Sequence, residues 1–510
     1  MNSSNVKRNI IANYLGGGWS ALMGLAFLPI YIRYLGIEAY GLIGVYASLQ
    51  AWFALLDMGL SPTISREMSR FTAGIHTPQS IRDLLKSVEM IYMGIAALLA
   101  VIMIGIASWI ATDWLKVEVL SIQAVTHALM ITGVIIAFRW VDTLYRSAIL
   151  GLQHQVWLNG VTAAFATIRG LGSIGVLALI SPTIQAFFIF QALTYALETL
   201  LLARQTHRYL PTPPNPPKFS IEALRGVWSF AAGMTMITFL ATILTQVDKL
   251  LLSTLLPLEQ FGYFTLASTV AGALSILIVP ISNVAYPRFT ELVASGEEKA
   301  FTMQYHQFAQ LLTISVVPAT LILSFFSHQI IYLWTHSAAT TQAVAPILSI
   351  WVIGTALNGL MHVPYMAQLA HGWSRLTVIV NTIAAAIIIP AFLILVPHYG
   401  VMAAAWIWVV INAGYILFAV PAMHMRILQH EKWKWYKIDV VSPILVGLLM
   451  TLGMFRLAGT YPQMSRLVES AFLAIGAFLV LLVTAMTTPL VRQGIFKAVR
   501  KITGVDTLNG

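Results

Sequence analysis

Ionisable side chains stranded in long apolar runs are the chemically informative residues of this chain. Arg169 lies near the middle of one such run, with no charged residue close to it in sequence. Thr162 and Ser173 fall on the same helical face as Arg169. A second run carries Thr132, Arg139, Asp142, Thr143 and Arg146 along one face, and a third carries Thr235, Thr238, Thr242, Thr245 and Lys249, with Asp248 at its edge. Tyr46, Gln50, Asp57 and Ser61 mark another, and Thr355, Asn358, His362 and Tyr365 a fifth. Charges in an apolar medium are expensive, so such groups read as functional. Arginine keeps its proton and presents a planar fork of donors, which matches phosphate oxygens. Arg139, Arg169 and Lys249 outweigh Asp142 and Asp248, so the set predicts a cationic cavity for an anion. Substrate contacts are therefore expected at Arg139, Arg169, Lys249, Thr242 and Asn358. Asp57, Asp142 and Asp248 are candidate proton or sodium sites. Each has a bland reading beside it: Asp142 neutralising Arg139 or Arg146, Asp57 seated in the interface, and His362 a packed polar group.

The elements that must hold these groups follow from composition. The 510 residues are 58% hydrophobic and 9% charged, against about 25% charged in soluble domains. The chain therefore reads as an all-α polytopic membrane protein. A span needs about 20 apolar residues, which predicts about fourteen: 10–32, 40–60, 88–111, 123–147, 157–180, 183–203, 226–252, 261–286, 305–328, 343–369, 376–396, 400–422, 440–458 and 467–489. Alternating from a cytoplasmic N-terminus leaves Arg33, Lys116, Arg456 and Arg466 as the outside cations, and the other loop cations fall inside. Both termini are then cytoplasmic. The net charge of +10 is explained by those loops and does not call for nucleic acid. The chain has no cysteine, which excludes disulfides, thiolate nucleophiles and thiolate metal sites. The first apolar run is too long for a signal peptide and reads as a retained helix.

Residues 61–87 interleave Arg66, Arg70, Arg82 and Lys86 with apolar positions, as either an interfacial helix or a solvated connector would. Residues 204–225 contain Pro211, Pro213, Pro214, Pro216 and Pro217, a spacer that no helix can continue through. Lys432, Trp433, Lys434, Trp435, Tyr436 and Lys437 form an interfacial anchor. The hairpin Leu35-Gly36-Ile37-Glu38-Ala39-Tyr40-Gly41 has an echo at Leu256-Pro257-Leu258-Glu259-Gln260-Phe261-Gly262. A repeat of this kind predicts two pseudo-symmetric lobes of about six helices each. The expected division is a first lobe at 1–204, a linker at 205–225, a second lobe at 226–423, and helices 13–14 with flanking cytoplasmic segments at 424–510.

Pro29-Ile30-Tyr31-Ile32-Arg33-Tyr34-Leu35-Gly36, Glu38-Ala39-Tyr40-Gly41, Leu55-Leu56-Asp57-Met58-Gly59-Leu60 and Val247-Asp248-Lys249 resemble the polysaccharide transporter family. Its members include Wzx-type flippases of lipid-linked oligosaccharides and belong to the superfamily of multidrug and toxin extruders. The resemblance covers about the first 70 residues and the 225–290 region. It implies a V-shaped pair of six-helix bundles plus a C-terminal helix pair, working by alternating access. It also implies an undecaprenyl-pyrophosphate-linked oligosaccharide, of O-antigen or a related surface polysaccharide, moved across a bacterial inner membrane. Membrane lipids, a polysaccharide polymerase and a chain-length regulator are the expected partners, with no nucleic acid. No cofactor is expected beyond a coupling proton or sodium ion. Span 10–32 lacks the arginines of lipid II flippases and the carboxylate of drug extruders. Two alternatives stay open: an extruder-like antiporter, and a membrane glycosyltransferase or polymerase acting on the same lipid carrier. The short, acid-poor outer loops speak against an enzyme.

Overall fold

The structure, a computed structural model, describes residues 16–57, 59–222, 224–225, 246–373, 375–461 and 465–492. Helices α1 (Leu28–Leu35), α2 (Ile37–Phe53), α3 (Leu60–Thr72), α4 (Pro78–Trp109), α5 (Ile122–Gly151), α6 (Gln155–Leu179) and α7 (Ile184–Tyr209) come first. They are followed by α8 (Leu258–Gly272), α9 (Ser275–Ala294), α10 (Glu298–Phe325), α11 (Ser327–Thr335), α12 (Ala338–Leu360) and α13 (His362–Ala370). The last are α14 (Arg375–Gly414), α15 (Val420–Arg426), α16 (Ser442–Thr460) and α17 (Arg466–Met486). The chain divides into two compact units, Met1–Gly262 and Tyr263–Gly510.

Among the described residues, ten helices are long and apolar enough to cross a membrane, and eleven if the bent pair α8–α9 is one span. Two physical facts reconcile this with the expected spans. Arg375–Arg426 holds two of them, separated at Gly400, whose φ of 60° and ψ of −151° are non-helical. The expected first and seventh spans lie partly outside the described residues; residues 16–26 and 246–255 are their helical remainders. Many apolar side chains, Leu98, Ile394, Leu449 and Leu467 among them, face outward. In a bilayer that surface meets acyl chains.

Local chemistry sets where the helices begin. Thr77, Ser121, Thr183, Ser337 and Ser465 each accept a backbone N–H from the third residue on, capping α4, α5, α7, α12 and α17. Pro364 removes a donor and crowds the carbonyl of residue 360, and the helix breaks at Met361 between α12 and α13. Residues 60–72 of the basic connector form helix α3, with Leu60, Ile64 and Met68 buried and Arg66 and Arg70 outside.

The proline-rich segment after α7 is strapped along α4. Asn215, Lys218 and Ser220 donate their backbone N–H groups to Gln79, Asp83 and Ser87, at 3.0, 2.8 and 2.8 Å. Those acceptors sit at i, i+4 and i+8 of one helical face. Arg82 donates to the carbonyls of His207, Leu210 and Pro211 at 2.8, 2.7 and 3.0 Å, satisfying the open end of α7.

The motif hairpin turns at Gly36, whose φ of 83° favours glycine. Glu38 is buried, and its carboxylate accepts the backbone N–H groups of Glu118, Val119 and Leu120 at 2.6, 2.9 and 2.6 Å. The hairpin and its echo touch reciprocally. A Cβ on Gly41 would strike the carbonyl oxygen of Leu258, and one on Gly262 would strike that of Ile37. The interval from 37 to 258 equals that from 41 to 262, so the contact has local two-fold character.

Candidate functional site

Three helices of the first unit bring charge together. Helix α5 supplies Arg139, Asp142 and Arg146 at successive turns, α6 supplies Thr162 and Arg169, and α7 supplies Tyr195 and Glu198. Each nitrogen of Arg146 makes one hydrogen bond. Its Nε donates to Asp142, its Nη2 to Glu198, and its Nη1 to Thr162 Oγ1 at 2.6 Å. Arg169 donates through Nη1 to the other oxygen of Glu198, and its guanidinium lies 4.4 Å from the Tyr195 ring centroid. Arg139 donates through Nη1 to the Tyr195 hydroxyl at 2.9 Å and lies 4.8 Å from the same ring. Glu198 is completely buried.

This arrangement corrects one expectation. Arg169 does not stand unneutralised: Glu198, on the following helix, holds it and Arg146 together. Asp142 pairs with Arg146 rather than Arg139. The charge sum still leaves an excess. Arg139, Arg146 and Arg169 face Asp142 and Glu198, three cations against two anions, and the third acid nearby, Asp57, is bonded to Ser61 and Tyr92 rather than to an arginine. The surplus has a location, because Arg139 Nε is buried with no partner among the described residues. A buried donor left unmade costs about 1–3 kcal/mol, more when charged.

Arg139 also lines a cavity of about 260 Å³ with Gln50, Asp57, Ser61, Trp140 and Thr143. The helix breaks here: α2 gives way to a tight turn at Ala54–Asp57, and α3 starts after Gly59 at a φ of 67°. Asp57 uses that break to accept Ser61 N and Ser61 Oγ at 3.1 and 2.7 Å, and the Tyr92 hydroxyl. The cavity thus has a carboxylate at a broken helix and a guanidinium from the continuous helix α5, and broken helices are a form that membrane transport sites use.

The other expected site residues are scattered. Lys249 donates to Gln246 Oε1 at 3.3 Å, and Asp248 Oδ1 is buried without a partner among the described residues. Thr242, with Thr235, Thr238 and Thr245, lies outside the described residues. Asn358 belongs to the second unit, where its Nδ2 donates to Asn412 Oδ1 at 2.9 Å. His362 Nδ1 meets Ser282 Oγ at 3.2 Å. Sequence reasoning missed Glu198 and Tyr195. A signal for Glu198 existed: it is a lone acid inside a predicted span, of the kind that marks function by default.

The geometry defines a polytopic α-helical membrane protein with a charged, incompletely neutralised interior in its first unit. A family model described as "Polysaccharide biosynthesis protein" matches residues 6–293, and the chain belongs to that family. It is 18% identical over 405 residues to a curated Shigella flexneri protein named for O-antigen transport, covering 79% of this chain and 94% of that one. Among solved structures it is similar to lipid II flippase MurJ in an inward closed conformation, at a TM-score of 0.70 and 15% identity over 92% of this chain and 97% of that one. It is likewise similar to an inward-facing multidrug resistance MATE family transporter, at 0.66 and 12% over 80% and 94%. These likenesses establish the fold.

Proposed function

We propose that the protein is a flippase that carries an undecaprenyl-pyrophosphate-linked oligosaccharide, of O-antigen or a related surface polysaccharide, across a bacterial inner membrane by alternating access. The observation that carries this reading is the surplus guanidinium charge of the first unit, with a buried Arg139 donor left unmade. A diphosphate supplies the missing negative charge, and paired, charge-assisted N–H bonds suit its oxygens. The names of the Shigella protein and of MurJ point to the same substrate class. Arg139 and Arg169 are the proposed phosphate contacts, with Lys249, Thr242 and Asn358 as further substrate contacts. Asp57, in the same cavity as Arg139, is the proposed coupling-ion site, and Asp142 and Asp248 are the other acids available to it. Both termini are proposed to lie in the cytoplasm.

Deleting the gene tests the reading. A lipid-linked oligosaccharide should accumulate on the cytoplasmic leaflet, with its sugar chain intact. Accumulation of an incomplete sugar chain would instead indicate a transferase or polymerase and would remove the flippase reading.

A further inference from the structure

We infer that Glu198 is an exchangeable counter-ion: it holds Arg146 and Arg169 while the site is empty and yields them in part to a phosphate when the site fills. The inference rests on the anion-binding reading above and names how that site lets its substrate go.

Three observations support it. Glu198 splits its two oxygens between guanidiniums from two different helices, Arg146 on α5 and Arg169 on α6. The acid side chain is fully buried, whereas Arg146 and Arg169 keep 27% and 14% of their side-chain surface open. The carboxylate is therefore covered while part of each guanidinium side chain stays accessible. Donor capacity also remains. A guanidinium has five N–H groups, and Arg169 makes one side-chain hydrogen bond among the described residues, through Nη1. Beside it Arg139 Nε has no acceptor among those residues. The other groups facing this cluster include Asp142, Thr162, Tyr195, Tyr46 and Tyr31, with Asp142 the second acid and Asp57 a third acid on the cavity that Arg139 lines.

The consequence follows from the two end states. Three arginines with Asp142 alone would repel one another strongly in a dry interior. Glu198 removes most of that penalty from the empty state. Stabilising the empty state more than the filled one weakens anion binding by the difference, which is the part of the Glu198 interaction that filling gives up. A transporter must release what it binds, so an internal anion that takes the arginines back speeds release. Removing the acid's charge should then tighten binding and slow transport. A residue that only braced the helices would move both in the unfavourable direction.

The test uses the full-length protein in detergent, with inorganic pyrophosphate as the calorimetric probe, and surface polysaccharide in a deletion strain as the transport readout. Glu198→Gln should bind pyrophosphate about tenfold more tightly than wild type and support about tenfold less transport, within the usual range of coupling between sites. Glu198→Asp keeps the charge but spans the two guanidiniums poorly, and should shift each quantity about threefold the same way. It gives the same test of sign if Glu198→Gln fails to accumulate in the membrane. Unchanged or weaker binding in these variants, with wild-type binding abolished by Arg169→Ala, overturns the counter-ion role and leaves the anion site standing. Absence of saturable binding to wild type, or wild-type binding by Arg169→Ala, overturns the anion site and the inference with it.

Discussion

The interiors of the two units solve the same problem differently. In the first, three guanidiniums meet two carboxylates around Tyr195, and a donor on Arg139 is left over. In the second, the matching polar seam is neutral. Asn358 bonds Asn412, Trp408 Nε1 donates to Thr355 at 3.3 Å, and Trp351 stacks on Trp408 with ring centroids 5.4 Å apart. The buried charge of the second unit sits elsewhere, where His306 on α10 lies between Asp439 and Glu431. Neutral pairs are satisfied as they stand, whereas the surplus cation needs a partner from outside. On the proposed reading, anion recognition falls to the first unit. The second offers amides, hydroxyls and indole faces, groups that suit sugar hydroxyls.

The largest expected effect tests whether the second unit's charges are structural. Asp439 is fully buried, bonded to His306 Nδ1, and accepts Gln310 Nε2 at 2.7 Å. Gln310 in turn accepts the backbone N–H of Leu490 at 2.9 Å, which ties the segment after α17 to α10. Asp439→Asn should destabilise the protein by about 3–5 kcal/mol, the usual cost of removing one partner of a buried ion pair. A thermal melt in detergent reads it. Pyrophosphate affinity of the surviving folded protein should equal wild type, and a loss of affinity would break the division of labour between units.

Arg169→Ala comes next. Truncating a buried arginine that holds a phosphate costs about 2–5 kcal/mol, so transport should fall about tenfold or more. Arg169→Lys keeps the charge, loses the fork, and should fall between. Because Glu198 would lose one of its two partners, protein abundance must be measured with transport. An abundant, inactive variant supports a substrate contact, and a degraded one supports a brace. Normal surface polysaccharide from an abundant Arg169→Ala variant would take Arg169 out of the mechanism.

The sequence made the spans, the lone intramembrane charges and the hairpin echo readable because each is a local pattern. Hydropathy is counted in windows, and the reciprocal contact of Gly41 and Gly262 needed only two similar segments to be noticed. Partnership was not local. Arg169 and Glu198 belong to different helices, and only the packing of α6 against α7 shows that one neutralises the other. The same holds for His306 and Asp439, which lie on α10 and beyond α15, and for Glu38, whose three N–H donors come from a distant loop. Residue type announced that these groups must be satisfied; it could not say by whom. Where a group was left over, as at Arg139, the fold also exposed a need that composition had only summed.

A smaller effect sharpens the neutral side of the comparison. Asn412 is fully buried, and its Nδ2 already donates to Trp408 O at 2.8 Å. Asn358→Ala would leave Asn412 Oδ1 without a donor, at about 1–3 kcal/mol of stability. Inorganic pyrophosphate should bind this variant as it binds wild type, while transport of the sugar-bearing substrate falls. Weakened pyrophosphate binding would mean that the second unit also reads the anion.

The smallest effect is a pH dependence, and its sign is fixed by Glu431. Burial pushes this carboxyl up, but hydrogen bonds from His306 and Lys434 outweigh it and hold Glu431 below the usual carboxylate range. A carboxyl depressed in the folded state contributes stability above its unfolded value, about 4.3, and loses it as pH falls through the lower folded value. The group is 27% exposed, so the contribution stays under about 1 kcal/mol. Thermal midpoints of wild type and Glu431→Gln should therefore differ slightly at neutral pH, with wild type higher. The gap should shrink as the pH falls below about 4 and vanish only once the pH is below the lower folded value, where both side chains are uncharged. A gap that widens in acid would show that Glu431 is held by something other than its cationic neighbours. The second unit's charged end would then be no simple brace, and its contrast with the arginine cluster of the first unit would have to be redrawn.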